Sequence, residues 1–124
     1  MDLPVSVNTL GAIITACLGI LGLFFPLTAA RLVRLEPQGE QGISELRATY
    51  GGIFLSIGLF AAIAQERNVF RVLGIGYLGA AGARAFSIWH DQSYSGANIG
   101  ALVFEVVVGL ILLIPWESFI GNRP

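Results

Sequence analysis

The chain has 124 residues, of which 55% are hydrophobic and only 12% charged, and its mean hydropathy is +0.76. Soluble domains carry about 25% charged residues, so this chain cannot clothe a water-facing surface, and its hydrophobicity equally excludes disorder. With a net charge of −1, and with all seven basic residues arginine, nothing in the balance draws nucleic acid.

Crossing the hydrocarbon core takes about 20 apolar residues, and four stretches qualify. The expected fold is all-α: an antiparallel four-helix transmembrane bundle, a single integral membrane domain over residues 1–124. The first span, about 5–25, carries no charge and stops before Pro26. Met1-Asp2-Leu3-Pro4 lacks the positive start of a signal peptide, and the run after it is too long for one, so this span is expected in the mature protein. Cys17 falls mid-span, where a small buried apolar residue is expected, and a lone cysteine has no redox partner.

Leu27 to Leu35 sets leucine and valine against Arg31 and Arg34, which fits either a short interfacial helix or an extension of the first span. Pro37, Gly39 and Gly42 then mark a turn. The second span is predicted at about 44–64. Gln65-Glu66-Arg67 reads as a tight turn, with Asn68 as N-cap of a third span at about 68–89. His90 to Gly96 is a polar loop in which Ser93 or Ser95 caps the fourth span, about 97–114, closed by Pro115.

In lipid no hydrophobic force draws helices together, and small residues let backbones approach. The in-span glycines therefore mark packing faces: Gly11, Thr15 and Gly19 on the first span; Gly76, Ala80 and Arg84, and beside them Gly79 and Ala83, on the third. Such faces serve packing within the bundle or the binding of another protein. Trp89 and Tyr94 at one end and Trp116 at the other fit interfacial aromatic belts.

An ionisable residue inside a span is a functional hypothesis by default, because inserting it costs free energy. Four spans put the loops at 26–43 and 90–96 on one side of the membrane. Arg84 lies roughly 8 Å and Glu105 roughly 12 Å below that side at 1.5 Å per residue. Glu45, Arg47 and Tyr50 open the second span on the same side. Ser87 and Asp91 share Arg84's helical face, His90 lies beside them, and Asn98 shares the face of Glu105. The expectation is one polar cluster with two compatible readings. It is structural, with Arg84 paired to Glu105 and Arg47 to Glu45 or Asp91, or it lines a pocket whose arginines hold an anionic or carbonyl-bearing head group. Arginines tie between the two sides (Arg31, Arg34 and Arg47 against Arg67, Arg71 and Arg123), so the positive-inside rule gives no orientation unless Arg47 is discounted.

No catalytic residue, cofactor or metal is assigned. One histidine and one cysteine cannot build a zinc site. Phosphate-cradling GxxxxGK[ST] and GxSxG motifs do not occur in the sequence. Gly74, Gly76 and Gly79 mimic GxGxxG with no strand before them. Glu105, His90 and Tyr50 are the residues from which an acid–base site would have to be built.

The segment SELRATYGGIFLSIGLF, residues 44–60, resembles the ELRAxYGG signature of DUF4345, a family of small four-span bacterial membrane proteins. GARAFSIWHD, residues 82–91, and LVFEVVVG, residues 102–109, are similar to its third and fourth spans. The layout is also similar, more distantly, to membrane proteins of the DoxX type. By residue, the resemblance carries over Glu45, Arg47, Tyr50, Gly51, Gly52, Arg84, Ser87, Asp91 and Glu105. One departure is His90-Asp91-Gln92, where an Asp-Gly turn is expected.

The resemblance implies a multi-pass protein of the bacterial inner membrane. The expected function is non-enzymatic: binding of a lipid or small amphipathic ligand, or service as an accessory subunit of a larger complex. Its partners would then be membrane lipids, further copies of itself or a larger membrane complex. The alternatives are a membrane enzyme acting on a lipid or quinone-like substrate and, third, a proton-coupled transporter.

Overall fold

A computed structural model describes residues 6–116, and those residues form helices with no strand among them. Met1 to Pro4, the first residue of the predicted first span and Arg123 lie outside the described residues. In chain order the elements are α1 (Val7–Phe24), α2 (Pro26–Leu32), α3 (Gly39–Leu46), a π-helical segment (Arg47–Ile53), α4 (Phe54–Ala64), α5 (Arg67–His90) and α6 (Gly96–Leu113). Four helices are long and apolar enough to cross a membrane: Val7–Phe24, Gly39–Ala64, Arg67–His90 and Gly96–Leu113. This is a multi-pass membrane protein, with its spans where the hydropathy places them.

The chain divides into two compact units, Ala12–Ala64 and the remainder, which joins the residues up to Gly11 with those from Gln65 onward. In the Ala12–Ala64 unit, α1 and the second span run antiparallel at backbone contact. A Cβ on Gly58 would stand 2.5 Å from Ala16 N, and one on Gly51 would stand 2.7 Å from Leu23 N. Gly19 and Gly22 are equally closed, against Leu55 and Tyr50. Close approach through small residues is thus how these spans hold together. Cys17 is exposed, contrary to expectation. Thr15 and Gly19 take the buried side of α1, and Cys17, two residues from each, points about 200° away.

Pro26 has no N–H to continue α1 and sits at the start of α2, where its fixed φ suits a first helical turn. Residues 26–32 therefore form a separate short helix rather than an extension of the first span. It ends in a Schellman arrangement, Arg34 N–H to Arg31 O and Leu35 N–H to Ala30 O, with Arg34 at φ 56°. Leu27, Leu32, Val33 and Leu35 stay exposed, as suits a helix lying in the membrane interface.

The second span begins earlier than predicted, at Gly39. Gly42, read as a turn residue, lies inside α3, where its missing Cβ lets Pro37 approach to 3.0 Å of that position. Asn68 is not the N-cap of α5. Glu66 takes that position, and Asn68 accepts from Arg71 Nη1 at 3.5 Å.

In the other unit, α5 and α6 form an antiparallel hairpin closed at Gly74 and Gly109. A Cβ on Gly74 would lie 3.0 Å from Gly109 O, and Tyr77 meets Phe104 edge-on at 6.4 Å. By contrast Gly76, Gly79 and Gly82 meet nothing within 4 Å. Gly11, at the N-terminal end of α1, faces Leu112 of α6 and not the partner of Gly19. Asn8, buried, closes the far end of the hairpin. Its Nδ2 donates to the carbonyls of Ile111 (2.8 Å), Leu112 (3.1 Å) and Ile114 (3.1 Å), which α6 leaves open where Pro115 stops it.

Candidate functional site

Five of the eight predicted cluster residues form one hydrogen-bonded network in the α5–α6 hairpin. Arg84 and Glu105 point at one another from antiparallel helices. Arg84 Nε donates to Glu105 Oε2 at 2.9 Å and Nη2 donates to Oε1 at 2.7 Å, a two-pronged fork on one carboxylate. Nη1 donates to Asn98 Oδ1 at 2.8 Å. Asn98 Nδ2 donates in turn to Ser93 O and Oγ, and Ser93 Oγ donates to Ser87 O. Ser87 Oγ donates to Asp91 Oδ2 at 2.8 Å, and His90 Nδ1 lies 3.0 Å from Asp91 Oδ1.

The network follows from the local sequence. Ser95 is the N-cap of α6 and accepts from Asn98 N–H at 3.1 Å, which fixes the start of the helix and so the azimuth of Asn98 and Glu105. Asp91 is the C-cap of α5. Gln92, the residue in place of a glycine, adopts φ 55° and donates Nε2 to Trp89 O at 2.6 Å, covering an open carbonyl. The loop thus makes with a glutamine the left-handed turn that glycine makes at no steric cost. Outside the membrane span, hydrogen bonds from His90 first and Ser87 second hold the Asp91 carboxyl below its ordinary range.

Arg84's side chain is 29% exposed and that of Glu105 12%, so the pair is largely shielded and neutralises itself. Among the described residues no buried side-chain polar atom lacks a partner. The same residues hold no group of histidine, cysteine or acidic side chains that suits a metal ion. Outside this network Phe86 stacks on His90 at 5.2 Å, with Trp89 and Tyr94 exposed nearby in sequence, as an interfacial belt requires.

Glu45, Arg47 and Tyr50 belong to the Ala12–Ala64 unit and have partners there. Glu45 accepts from Gln41 Nε2 at 3.3 Å, and Tyr50 packs on Phe54 at 6.1 Å. Within that unit Arg47 does not pair with Glu45. Its Nε donates to Leu23 O at 3.2 Å. That carbonyl is orphaned by the break at Phe25–Pro26, and a cation at a helix C-terminus is favoured by the helix dipole as well. The π-helical segment that begins at Arg47 has no hydropathy signature; it accompanies the tight seat of Gly51 on Leu23.

Beside Arg47 lies an open-sided groove of about 260 Å³, lined by Phe24, Phe25, Pro26, Leu27, Thr28 and Ile43. Apart from Arg47 and Thr28 its lining side chains are apolar. Sequence reading places Arg47 in the cluster but gives no sign of this groove, which arises where the proline break turns α2 against α3.

A family model described as Domain of unknown function (DUF4345) matches residues 7–115. No curated protein and no solved structure matches the chain.

Proposed function

The chain belongs to the DUF4345 family, and on that footing we propose that it is a non-catalytic membrane protein that holds a lipid or another small amphipathic ligand, in the bacterial inner membrane that the family resemblance implies. The observation that carries this reading is Arg47: a cation within a span, without a carboxylate partner in its own unit, at the edge of an apolar groove. An apolar cleft with one well-placed polar group is the usual form of a small-ligand site.

Glu105 supports the same reading from the other unit. Both its oxygens accept from Arg84, so Glu105 is held as the counter-ion of an arginine, which supports a structural and not an acid–base role for it. A second reading, accessory subunit, draws on one observation: Gly76, Gly79 and Gly82 line α5 with nothing against them, a face on which another helix packs well in lipid.

Native mass spectrometry of the protein released from membranes tests both. A retained lipid-sized mass, lost on Phe25→Ala, is the expected result. Bare protein of its own mass would remove the ligand reading, and a fixed extra mass the size of a second protein would favour the subunit reading.

A further inference from the structure

We infer that the groove beside Arg47 selects a phospholipid of net negative charge, gripping its phosphate end-on with the two Nη groups of Arg47 while an acyl chain lies against Phe24, Phe25 and Ile43; this rests on the ligand-holding reading above. Three observations lead there.

The first is the geometry of the guanidinium. Nε is committed to Leu23 O, which fixes the plane of the fork and leaves the two Nη groups at its outer end. Two parallel N–H donors match two oxygens of one phosphate, a fit that the point charge of lysine does not reproduce.

The second is depth. Arg47 lies roughly 26 Å along the helix from Ala64 at 1.5 Å per residue, where polar Gln65 and Glu66 mark the far edge of the span. In a hydrocarbon core of about 30 Å that puts its Cα only about 4 Å inside the near edge. A side chain there snorkels outward to the level of lipid phosphates, with its stem in the apolar region.

The third is charge. Arg84 is matched by Glu105, whereas Arg47 has no such partner within the Ala12–Ala64 unit. A zwitterionic lipid brings its own ammonium and leaves that charge uncompensated; an anionic lipid does not. Along residues 26–47, Arg31, Arg34 and Arg47 are matched in number by Glu36, Glu40 and Glu45. There is no net field to gather anions, so the selection comes from contact with Arg47 itself.

The test uses the full-length protein in nanodiscs of equal phosphatidylglycerol and phosphatidylcholine, with native mass spectrometry of the lipids it keeps. The unaltered protein is expected to keep phosphatidylglycerol over phosphatidylcholine by about 5-fold: the phosphate contact is common to both lipids, and the difference is the one exposed charge that the choline ammonium leaves uncompensated at Arg47. Arg47→Gln abolishes the preference, Arg47→Lys keeps it while lowering the total lipid retained because lysine has the charge and not the fork, and Arg31→Gln leaves both intact. Equal retention of both lipids by the unaltered protein overturns the inference without depending on any variant's folding, and it leaves the ligand-holding reading standing. A preference that survives Arg47→Gln overturns the role of Arg47, and an undiminished amount of retained lipid in Arg47→Lys overturns the fork. Displacement of phosphatidylglycerol by equimolar oleate overturns the phosphate in favour of a carboxylate. Retention of no lipid at all overturns the ligand-holding reading and this inference with it.

Discussion

Arg84 and Arg47 are both arginines within predicted spans, and the chain treats them in opposite ways. Arg84 spends its donors on Glu105 and Asn98 and is a third or less exposed. Arg47 is exposed and gives one donor to a backbone carbonyl left open by a proline. The first arrangement fixes the register of a helix hairpin; the second repairs a helix end and leaves charge facing outward. An intramembrane arginine is therefore not evidence of a site by itself. What matters is whether its charge is already matched inside the protein.

Measurements can break this contrast, starting where the largest effect is expected. Glu105→Gln strips the counter-ion from Arg84 and should cost about 3–5 kcal/mol of stability, read by unfolding in mixed detergent micelles. Arg84→Ala with Glu105→Ala should cost less than the two single changes summed, since the double variant leaves no orphaned charge. Strict additivity would show that the two side chains do not work as a pair. Next comes Asn8→Ala, which uncovers carbonyls at the end of α6 and should cost about 1–3 kcal/mol, with faster amide exchange confined to residues near Pro115 as the check. Arg47→Gln should cost only about 1 kcal/mol, because it removes a cap and not a counter-ion. A loss matching that of Glu105→Gln would erase the distinction between the two arginines.

The smallest effect concerns Asp91. Its carboxyl is held below the ordinary 3.8 by His90 and Ser87. The resulting stabilisation is present above the unfolded value and is lost as pH falls through the lower folded one. An acid titration of the unaltered protein against Asp91→Asn should therefore diverge only below about pH 4.

Much of this was legible in the sequence, for a physical reason. Twenty apolar residues in a row have few solutions other than a span, and depth counted from the span ends brought Arg84 and Glu105 into the same half of the membrane, with Asn98 on the face of Glu105. Ser95 as a cap was legible too. What escaped depends on contacts between distant segments. The π-helical segment coincides with the seat of Gly51 on Leu23, and Gly42 lies in a helix with Pro37 packed at its missing Cβ. Asn8 did carry a signal, as an amide in a charge-free span, but its target carbonyls lie more than a hundred residues away. The Glu45 option for Arg47 gave way because a broken helix offered it a carbonyl that hydropathy cannot display.

Glycine use in this chain inverts the custom of water-soluble proteins. Of the four left-handed residues among those described, three are Arg34, Gln65 and Gln92, and only Gly39 is a glycine. The turns are made from residues that pay for the conformation, while the glycines are concentrated in the helices, where several are shut against a neighbouring backbone. A map of tolerated substitutions should be inverted to match. Glycine placed at Gln92 should be accepted with little loss beyond its amide's bond to Trp89, whereas alanine, the best helix former, should be rejected at Gly19, Gly22, Gly51 and Gly58 and welcomed at Gly76, Gly79 and Gly82. In such a chain an alanine scan of glycines reports which helix faces are in use, and it does so without a ligand, an assay or a known activity.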